Sequence, residues 1–462
     1  MIRIFRVSIP SSVVALVLSE LSLVFSCYVV AAYATLEFSA DIFLIEDRGI
    51  LRIALVAMLV VLGLYFSDLY DDYRVRSRIA LVQQFCLVLG IAFIVQALLS
   101  YGRWEVILPK WMMFYGSLMV LVLAPSWRLL FTQTLARAVG AKKVLFLGSS
   151  PVVESIVEQL RMRPEMGLSA IGFLASDDSV PSLAGVPRLG SLSEFDDVVE
   201  EHQPDQVVVG ILERRGSLPV EQLLRRRFAG MRIEDAATTY ESVFGRVSTR
   251  ELRPSQLIFS NSLVPHQWIA FLQSLYSPVL ALLGAIVLSP LILAVAILVK
   301  LTSRGPVLFR QIRCGKDGVP FTLYKFRSMV EDAEANTGAV WATRDAPRVT
   351  PVGRWLRKVR LDELPQLFNV IRGEMTIVGP RPERPEFVQV LCEKIPYYRQ
   401  RLVVKPGVTG WAQVSHKYGD TVEDAMTKLE YDLYYIKNLS ISLDAYIIFH
   451  TIKTVLLGRG AQ

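Results

Sequence analysis

The sequence predicts a membrane protein of mixed class, α plus α/β: a four-helix transmembrane module, a Rossmann-like α/β domain and a C-terminal domain that carries its chemistry. Three observations lead there. Of 462 residues, 52% are apolar and 20% charged, which is too hydrophobic for one soluble domain and too charged for a pure membrane bundle. Four long apolar runs lie before residue 127, and from residue 142 the runs shorten to strand length. Beyond residue 305 the chain concentrates arginines, an adjacent carboxylate pair and Gly-Pro motifs.

The N-terminal module covers 1–141. Its apolar runs, about 11–34, 50–67, 79–100 and 106–126, each suffice to cross a hydrocarbon core of about 30 Å as a helix. The first is too long for a signal-peptide core and has no cleavage motif, so it reads as a retained anchor. Arg3 and Arg6 precede it, Arg74, Arg76 and Arg78 separate the second and third runs, and Arg128, Arg137, Lys142 and Lys143 follow the fourth. Both ends of the module are therefore expected on the cytoplasmic side. Lys110 is expected to snorkel to the interface and Glu20 to face neighbouring helices, rather than either being a functional intramembrane charge.

Residues 142–250 alternate strand and helix signals. Lys143–Gly148 and Asp205–Ile211 read as buried parallel strands, and 152–161, 194–202 and 220–228 as helices, which sums to a small Rossmann-like sheet. Gly148-Ser149-Ser150-Pro151 lacks the second and third glycines of a dinucleotide loop, so a structural or regulatory role is expected for the domain.

A linker, 251–274, leads to a transferase-type domain over 275–462. This domain opens with an apolar segment, about 275–301, broken at Ser289-Pro290, because proline removes a backbone donor and clashes with the preceding turn. Lys300, Arg304, Arg310, Arg313 and Lys316 follow it. Spanning would translocate these charges, so a re-entrant helix is expected.

Candidate chemistry lies in the FTLYKFRSM, RKVRLDELPQLFN, VGPRP and KPGVTGWAQ motifs. Arg357, Arg360 and Arg381 are candidate phosphate ligands, since guanidinium forks bind phosphate oxygens in pairs, and FTLYKFRSM adds the basic side chains of Lys325 and Arg327 as further candidates. Pro380 and Pro382 stiffen the backbone around Arg381. In the Asp362-Glu363 pair, one carboxylate can attack phosphorus and the other can hold magnesium. Helix capping by Asp362 explains the pair about as well. The four cysteines and four histidines are scattered, without disulfide or zinc spacing. The net charge of +7 suits lipid headgroups and phosphates, and no nucleic-acid motif occurs.

The strings SRGPVLFRQIRCGKDGVPFTLYKFRSM, RLDELPQLFNVIRGEMTIVGPRPERPEF and KPGVTGWAQ, within about 275–458, resemble the bacterial sugar transferase family, the monotopic phosphoglycosyl transferases. Together with the regions ahead of them, the chain is similar to the long exopolysaccharide-type polyprenyl glycosylphosphotransferases, and AVWATRDAPRVT and HKYGD fit that subgroup. The resemblance implies that Asp362 attacks the sugar-bearing phosphate of a UDP-hexose, by family expectation glucose or galactose, with release of UMP. Undecaprenyl phosphate then takes the sugar-phosphate. The resemblance further implies Mg2+ as cofactor, held with the help of Glu363, and Lys325, Arg357 and Arg381 on phosphates or donor. It places the re-entrant helix and amphipathic C-terminal helices at the cytoplasmic face of the bacterial inner membrane, in contact with lipid, and leaves a homo-oligomer open. The tyrosines of Glu430–Lys437 (EYDLYYIK) suit that interface or an ordinary core. One stretch departs from the pattern: where many members carry Lys-Arg followed by Asp before the membrane segment, this chain has QWIAFLQSLY, 267–276.

Other readings have weaker support. A membrane-bound nucleotide-sugar dehydratase or epimerase needs Tyr-Xaa-Xaa-Xaa-Lys, which none of the 17 tyrosines begins. No Asp-Xaa-Asp supports a metal-dependent glycosyltransferase. A non-catalytic scaffold of a polysaccharide assembly machine would have no use for the intact carboxylate pair.

Overall fold

The computed structural model describes residues 2–70, 77–100, 107–132, 141–176, 181–211, 218–249, 267–330, 349–416, 419 and 421–457. Arg74, Arg76 and Arg137, residues 251–266 of the linker, residues 339–348 of AVWATRDAPRVT, and Lys417, Tyr418 and Asp420 lie outside the described residues.

A hairpin of β1 (Ile2–Ile4) and β2 (Val7–Ile9) precedes α1 (Ser11–Leu36), α2 (Ala40–Ile45), α3 (Gly49–Phe66), α4 (Arg78–Ser100) and α5 (Lys110–Leu130). Among the described residues five spans are long and apolar enough to cross a membrane: Ser11–Ile45, Gly49–Phe66, Arg78–Leu99 and Lys110–Leu130 in this region, and Gln267–Val287 in the C-terminal domain. Their inward faces bury Leu16, Tyr28, Val60, Phe85 and Val120, while Leu18, Leu55, Leu98 and Leu118 point outward. Helices apolar on every side belong in a large core or in lipid. Glu20 faces α5, where Arg128 Nε and Nη2 donate to its carboxylate at 2.7 and 2.6 Å, and Tyr70 Oη donates to it at 2.6 Å.

The α/β domain has six strands: β3 (Lys142–Leu147), β4 (Leu168–Leu174), β5 (Ser182–Leu183), β6 (Val186–Gly190), β7 (Gln206–Val209) and β8 (Arg232–Asp235). They lie in the order β5-β6-β4-β3-β7-β8, parallel except for β5–β6. Helices α6 (Pro151–Met162), α7 (Phe195–His202), α8 (Val220–Phe228) and α9 (Ala236–Phe244) cover it. The strand order reverses at β3, where such folds bind ligands. There a Cβ on Gly148 would meet Gly210 O at 2.7 Å, and one on Gly210 would meet Val153 at 2.0 Å. The two backbones close on each other at the crevice.

The C-terminal domain begins with α10 (Gln267–Val287) and α11 (Ser289–Thr302), followed by the antiparallel pair β9 (Leu308–Cys314) and β10 (Pro320–Phe326). Next come α12 (Pro351–Lys358), α13 (Gln366–Ile371), β11 (Thr376–Val378), α14 (Pro385–Lys394), β12 (Gly407–Thr409), α15 (Trp411–Ser415), α16 (Val422–Lys437) and α17 (Ile441–Leu456). The apolar segment breaks at Leu288, and Pro290 sits in the first turn of α11, where its missing N–H costs nothing. The first half is already helical at Gln267 rather than only from about 275, and its N-terminal end packs on the domain. Gln273 Nε2 lies 2.7–3.0 Å from Val378 O, Tyr435 Oη and Asp444 Oδ2. The stretch that departs from the family pattern is thus anchored by a buried glutamine.

The EYDLYYIK tyrosines resolve to the core: Tyr434 and Tyr435 are 2% and 1% exposed, and Tyr435 Oη donates to Asp444 at 2.8 Å. Helix α16 is also where the regions meet. Its Glu430 accepts from the Thr249 N–H at 3.0 Å and Tyr240 Oη at 3.2 Å, and Lys437 pairs with Glu241 at 2.7 Å. Helix α17 contacts the end of α3, with Tyr65 Oη 2.5 Å from His450 Nε2 and Lys453 2.7 Å from Asp68.

Candidate active site

The site is built on three short connections. Helix α12 ends at Lys358, and Arg360 then takes φ 55°, ψ 22°, a left-handed conformation that costs a non-glycine residue about 1–2 kcal/mol. This reversal starts one 3-10 turn, Leu361–Glu363, and Pro365 opens α13 behind it. Asp362 and Glu363 emerge there 7% and 8% exposed. The capping expectation fails: the cap positions belong to Arg360 and Pro365, and neither turn has a side-chain cap.

The two carboxylates have different surroundings. Glu363 Oε1 accepts from Lys325 Nζ at 2.9 Å and Arg381 Nη2 at 3.0 Å, and Oε2 from Arg360 Nη1 at 3.4 Å. For Asp362 no such bond is found among the described residues; Lys325, Arg381 and Arg357 act on it through space. Burial raises the Asp362 pKa above the ordinary carboxylate range, opposed by Lys325 and reinforced by Glu363. Burial also pushes Glu363 upward, but Lys325, Arg381 and Arg360 outweigh it and hold that carboxylate well below its usual value. Two adjacent acids titrate as a pair; here the negative charge settles on Glu363, and Asp362 ionises later.

Of the expected phosphate ligands, the structure brings Lys325, Arg357, Arg360 and Arg381 to the pair. Arg327 goes elsewhere: its Nη2 donates to Ser303 O and Oγ at 2.8 and 2.7 Å, tying β10 to the end of α11. Ser289 Oγ donates to Ile286 O at 2.7 Å and closes the helix break. Pro380 and Pro382 flank Arg381 in the turn after β11. This turn explains the glycine motifs, since a Cβ on Gly407 would meet Gly379 N at 2.0 Å and one on Gly410 would meet Gly379 O at 2.2 Å. VGPRP and KPGVTG are two backbones pressed together to fix Arg381.

Three residues escaped the sequence reading. Asn369 staples α13 to β10, donating to Thr322 O at 2.7 Å and accepting from the Tyr324 N–H at 3.1 Å. Arg401 and Asp432 form a buried ion pair at 2.8 Å behind the Arg381 turn. Their signal was a charge within each of the apolar stretches RLVV and DLYYI.

Among the described residues no three His, Cys, Asp or Glu groups converge on a metal position, and three cations already enclose Glu363. A magnesium ion held here would have, among the described residues, only the two carboxylates as acidic protein donors, a number that suffices when phosphates complete its shell.

Fold and site together define a membrane-associated protein whose C-terminal domain gathers basic side chains around a buried carboxylate pair, an arrangement suited to phosphate-bearing substrates. Residues 268–458 match the family model described as bacterial sugar transferase, and residues 65–214 that described as CoA-binding domain. The chain is 33% identical to a UDP-glucose:undecaprenyl-phosphate glucose-1-phosphate transferase of Xanthomonas campestris pv. campestris, over 74% of this chain and 72% of that one. A Klebsiella pneumoniae protein of the same name is 29% identical, over 87% of this chain and 94% of that one. A UDP-N-acetylgalactosamine-undecaprenyl-phosphate N-acetylgalactosaminephosphotransferase of Aeromonas hydrophila is 42% identical, over 60% of this chain, and the match spans 62% of that relative's length. The chain belongs to the bacterial sugar transferase family.

Proposed function

We propose that this protein transfers a hexose-1-phosphate from a UDP-sugar to undecaprenyl phosphate, the initiating step of exopolysaccharide or related glycan synthesis. An oxygen of Asp362 bonds to the sugar-bearing phosphorus as the bond to the bridging oxygen breaks, and UMP leaves with that oxygen. A phosphate oxygen of the polyprenyl carrier then attacks the same phosphorus and releases the Asp362 carboxylate. Lys325, Arg357, Arg360 and Arg381 offset the charge that develops on the phosphoryl oxygens. Magnesium, when bound with the donor, would be held by Glu363 and would neutralise diphosphate charge. The observation that carries the proposal is the asymmetry of the pair: Asp362 has no hydrogen-bond partner among the described residues, and Glu363 is fixed by three cations.

The relatives' names include both glucose and N-acetylgalactosamine, so the proposed donor class is a UDP-linked hexose or its N-acetylated form. Purified protein given UDP-glucose, UDP-galactose or UDP-N-acetylgalactosamine with magnesium and undecaprenyl phosphate is expected to release UMP and a diphosphate-linked lipid. UDP release in place of UMP would refute the chemistry.

We also read the four N-terminal spans as a transmembrane module and α10–α11 as a re-entrant pair facing the cytoplasm. What supports re-entry is where the two helices rest. Ala281 of α10 packs with Leu323, and Val295 and Val299 of α11 pack with Phe326. Leu323 and Phe326 are three residues apart on β10, about 10 Å, so both helices return to one strand. A spanning helix would separate its ends by about 30 Å. In a cysteine-free background, thiols at Trp268 and Lys316 are expected to label from the same, cytoplasmic side; labelling from opposite sides would mean that the segment crosses.

A further inference from the structure

The turn that carries Arg381 is held through its carbonyls. Pro380 O accepts from the Gly407 N–H at 3.0 Å, Arg381 O from Arg401 Nη2 at 3.0 Å, Pro382 O from Arg313 Nη1 at 3.1 Å, and Glu383 O from the Cys314 N–H at 2.9 Å. Four successive carbonyls thus meet four donors from three different segments. Two of the donors are backbone N–H groups and two are arginines. The proline rings on either side of Arg381 fix φ there and offer no N–H, so carbonyls are the main handles by which the turn can be gripped.

Arg401 is the more enclosed of the two arginines, its side chain 5% exposed against 17% for Arg313. Its Nε and Nη2 lie 2.9 and 2.8 Å from Asp432 Oδ2, and Nη1 donates to Tyr398 Oη at 2.7 Å. One planar fork therefore joins α16, Tyr398 and the Arg381 carbonyl, and every partner fixes its orientation. A lysine could supply the charge and three donors, but from one nitrogen rather than from a rigid fork spread over three partners. An arginine buried only to stabilise a core does not need to spend a donor on the carbonyl of a residue whose own side chain reaches Glu363.

From this geometry we infer that Arg401, oriented by Asp432, is a positioning residue: it sets the backbone of Arg381 and so the placement of the Arg381 guanidinium beside Glu363 and the reacting phosphate. The inference rests on the reading of Asp362-Glu363 as the reacting pair. Asp432 and Glu430 are two residues apart on α16 and so point to roughly opposite faces. The helix that braces the turn is thus the one the α/β domain grips from its other side through Tyr240 and Thr249.

A double-mutant cycle on full-length protein in nanodiscs tests this, with Arg381→Gln, Arg401→Gln and their combination assayed for transfer. A misplaced phosphate contact costs about a hundredfold. Each single change is expected to lower kcat/KM by that order, and the combination to be no worse than Arg381→Gln alone, because Arg401 acts only through Arg381. Multiplying losses would overturn the inference. If Arg401→Gln fails to fold, the pair Arg401→Met with Asp432→Leu replaces both charges by apolar groups, a change that is often neutral for stability. Wild-type Tm with transfer still depressed supports positioning, and wild-type Tm with full transfer shows a structural pair only. Full activity of Asp362→Asn would instead remove the underlying reading of the site, a different outcome from additive losses.

Discussion

Glu20 and Glu363 are both buried carboxylates paired with basic side chains, yet their surroundings differ in a way that separates structure from chemistry. Glu20 sits among apolar helices with one arginine and one tyrosine hydroxyl. Charge there is matched one to one. Glu363 holds three cations by itself, a fourth, Arg357, faces the pair, and the neighbouring Asp362 is left without a bonded partner among the described residues. A matched buried pair is a closed interaction. A site with four basic groups for two carboxylates has positive charge to spare, which incoming phosphates can use.

The sharpest way to break this contrast is Asp362→Asn, expected to abolish transfer by roughly ten-thousand-fold or more, as loss of a nucleophile does, with Tm unchanged or raised because a buried charge is removed. Residual turnover near wild type would end the contrast. Glu363→Gln comes next. It leaves Lys325, Arg360 and Arg381 without their counter-charge, and transfer is expected to fall about 100- to 1,000-fold, with a lower Tm as well.

Lys325→Met is a subtler change. Asp362 has a raised pKa and must be ionised to attack, so transfer is lost as pH falls, starting above the ordinary carboxylate range. Lys325 is the main group opposing that rise, so its removal should move the acid limb of the kcat/KM profile to higher pH; a limb that stays in place contradicts the electrostatic account. Smallest in activity is Glu20→Gln. It leaves Arg128 buried and unpaired, costing about 3–5 kcal/mol of stability, while transfer by the folded fraction is unchanged. Loss of transfer without loss of Tm would make Glu20 part of the chemistry.

Much of this architecture was legible in the sequence because its signals are local. The apolar runs set α1, α3, α4 and α5, Ser289-Pro290 set the helix break to within a residue, and KVLFLG and DQVVVGI set the central strands of the sheet. The carboxylate pair and its basic neighbours were legible as residue types. Their roles were not, because these depend on where separate segments meet. Nothing in FTLYKFRSM says that Lys325 reaches Glu363 while Arg327, two residues on, turns to Ser303. Asp362 looked like a helix cap because the left-handed turn at Arg360 has no glycine to announce it. The EYDLYYIK tyrosines suit an interface by composition and are buried because α16 is packed on both sides. Arg401 and Asp432 were not legible, since a buried ion pair gives no periodic signal.

The central claim is that Asp362 carries the sugar-phosphate between two half-reactions. Incubating the purified protein with UDP-sugar and labelled UMP, without any polyprenyl phosphate, tests it directly. The account predicts that label enters the UDP-sugar pool, that a peptide containing Asp362 gains the mass of a sugar-phosphate, and that both signals vanish in Asp362→Asn. Exchange that appears only when the acceptor lipid is present, with no adduct on Asp362, would contradict it.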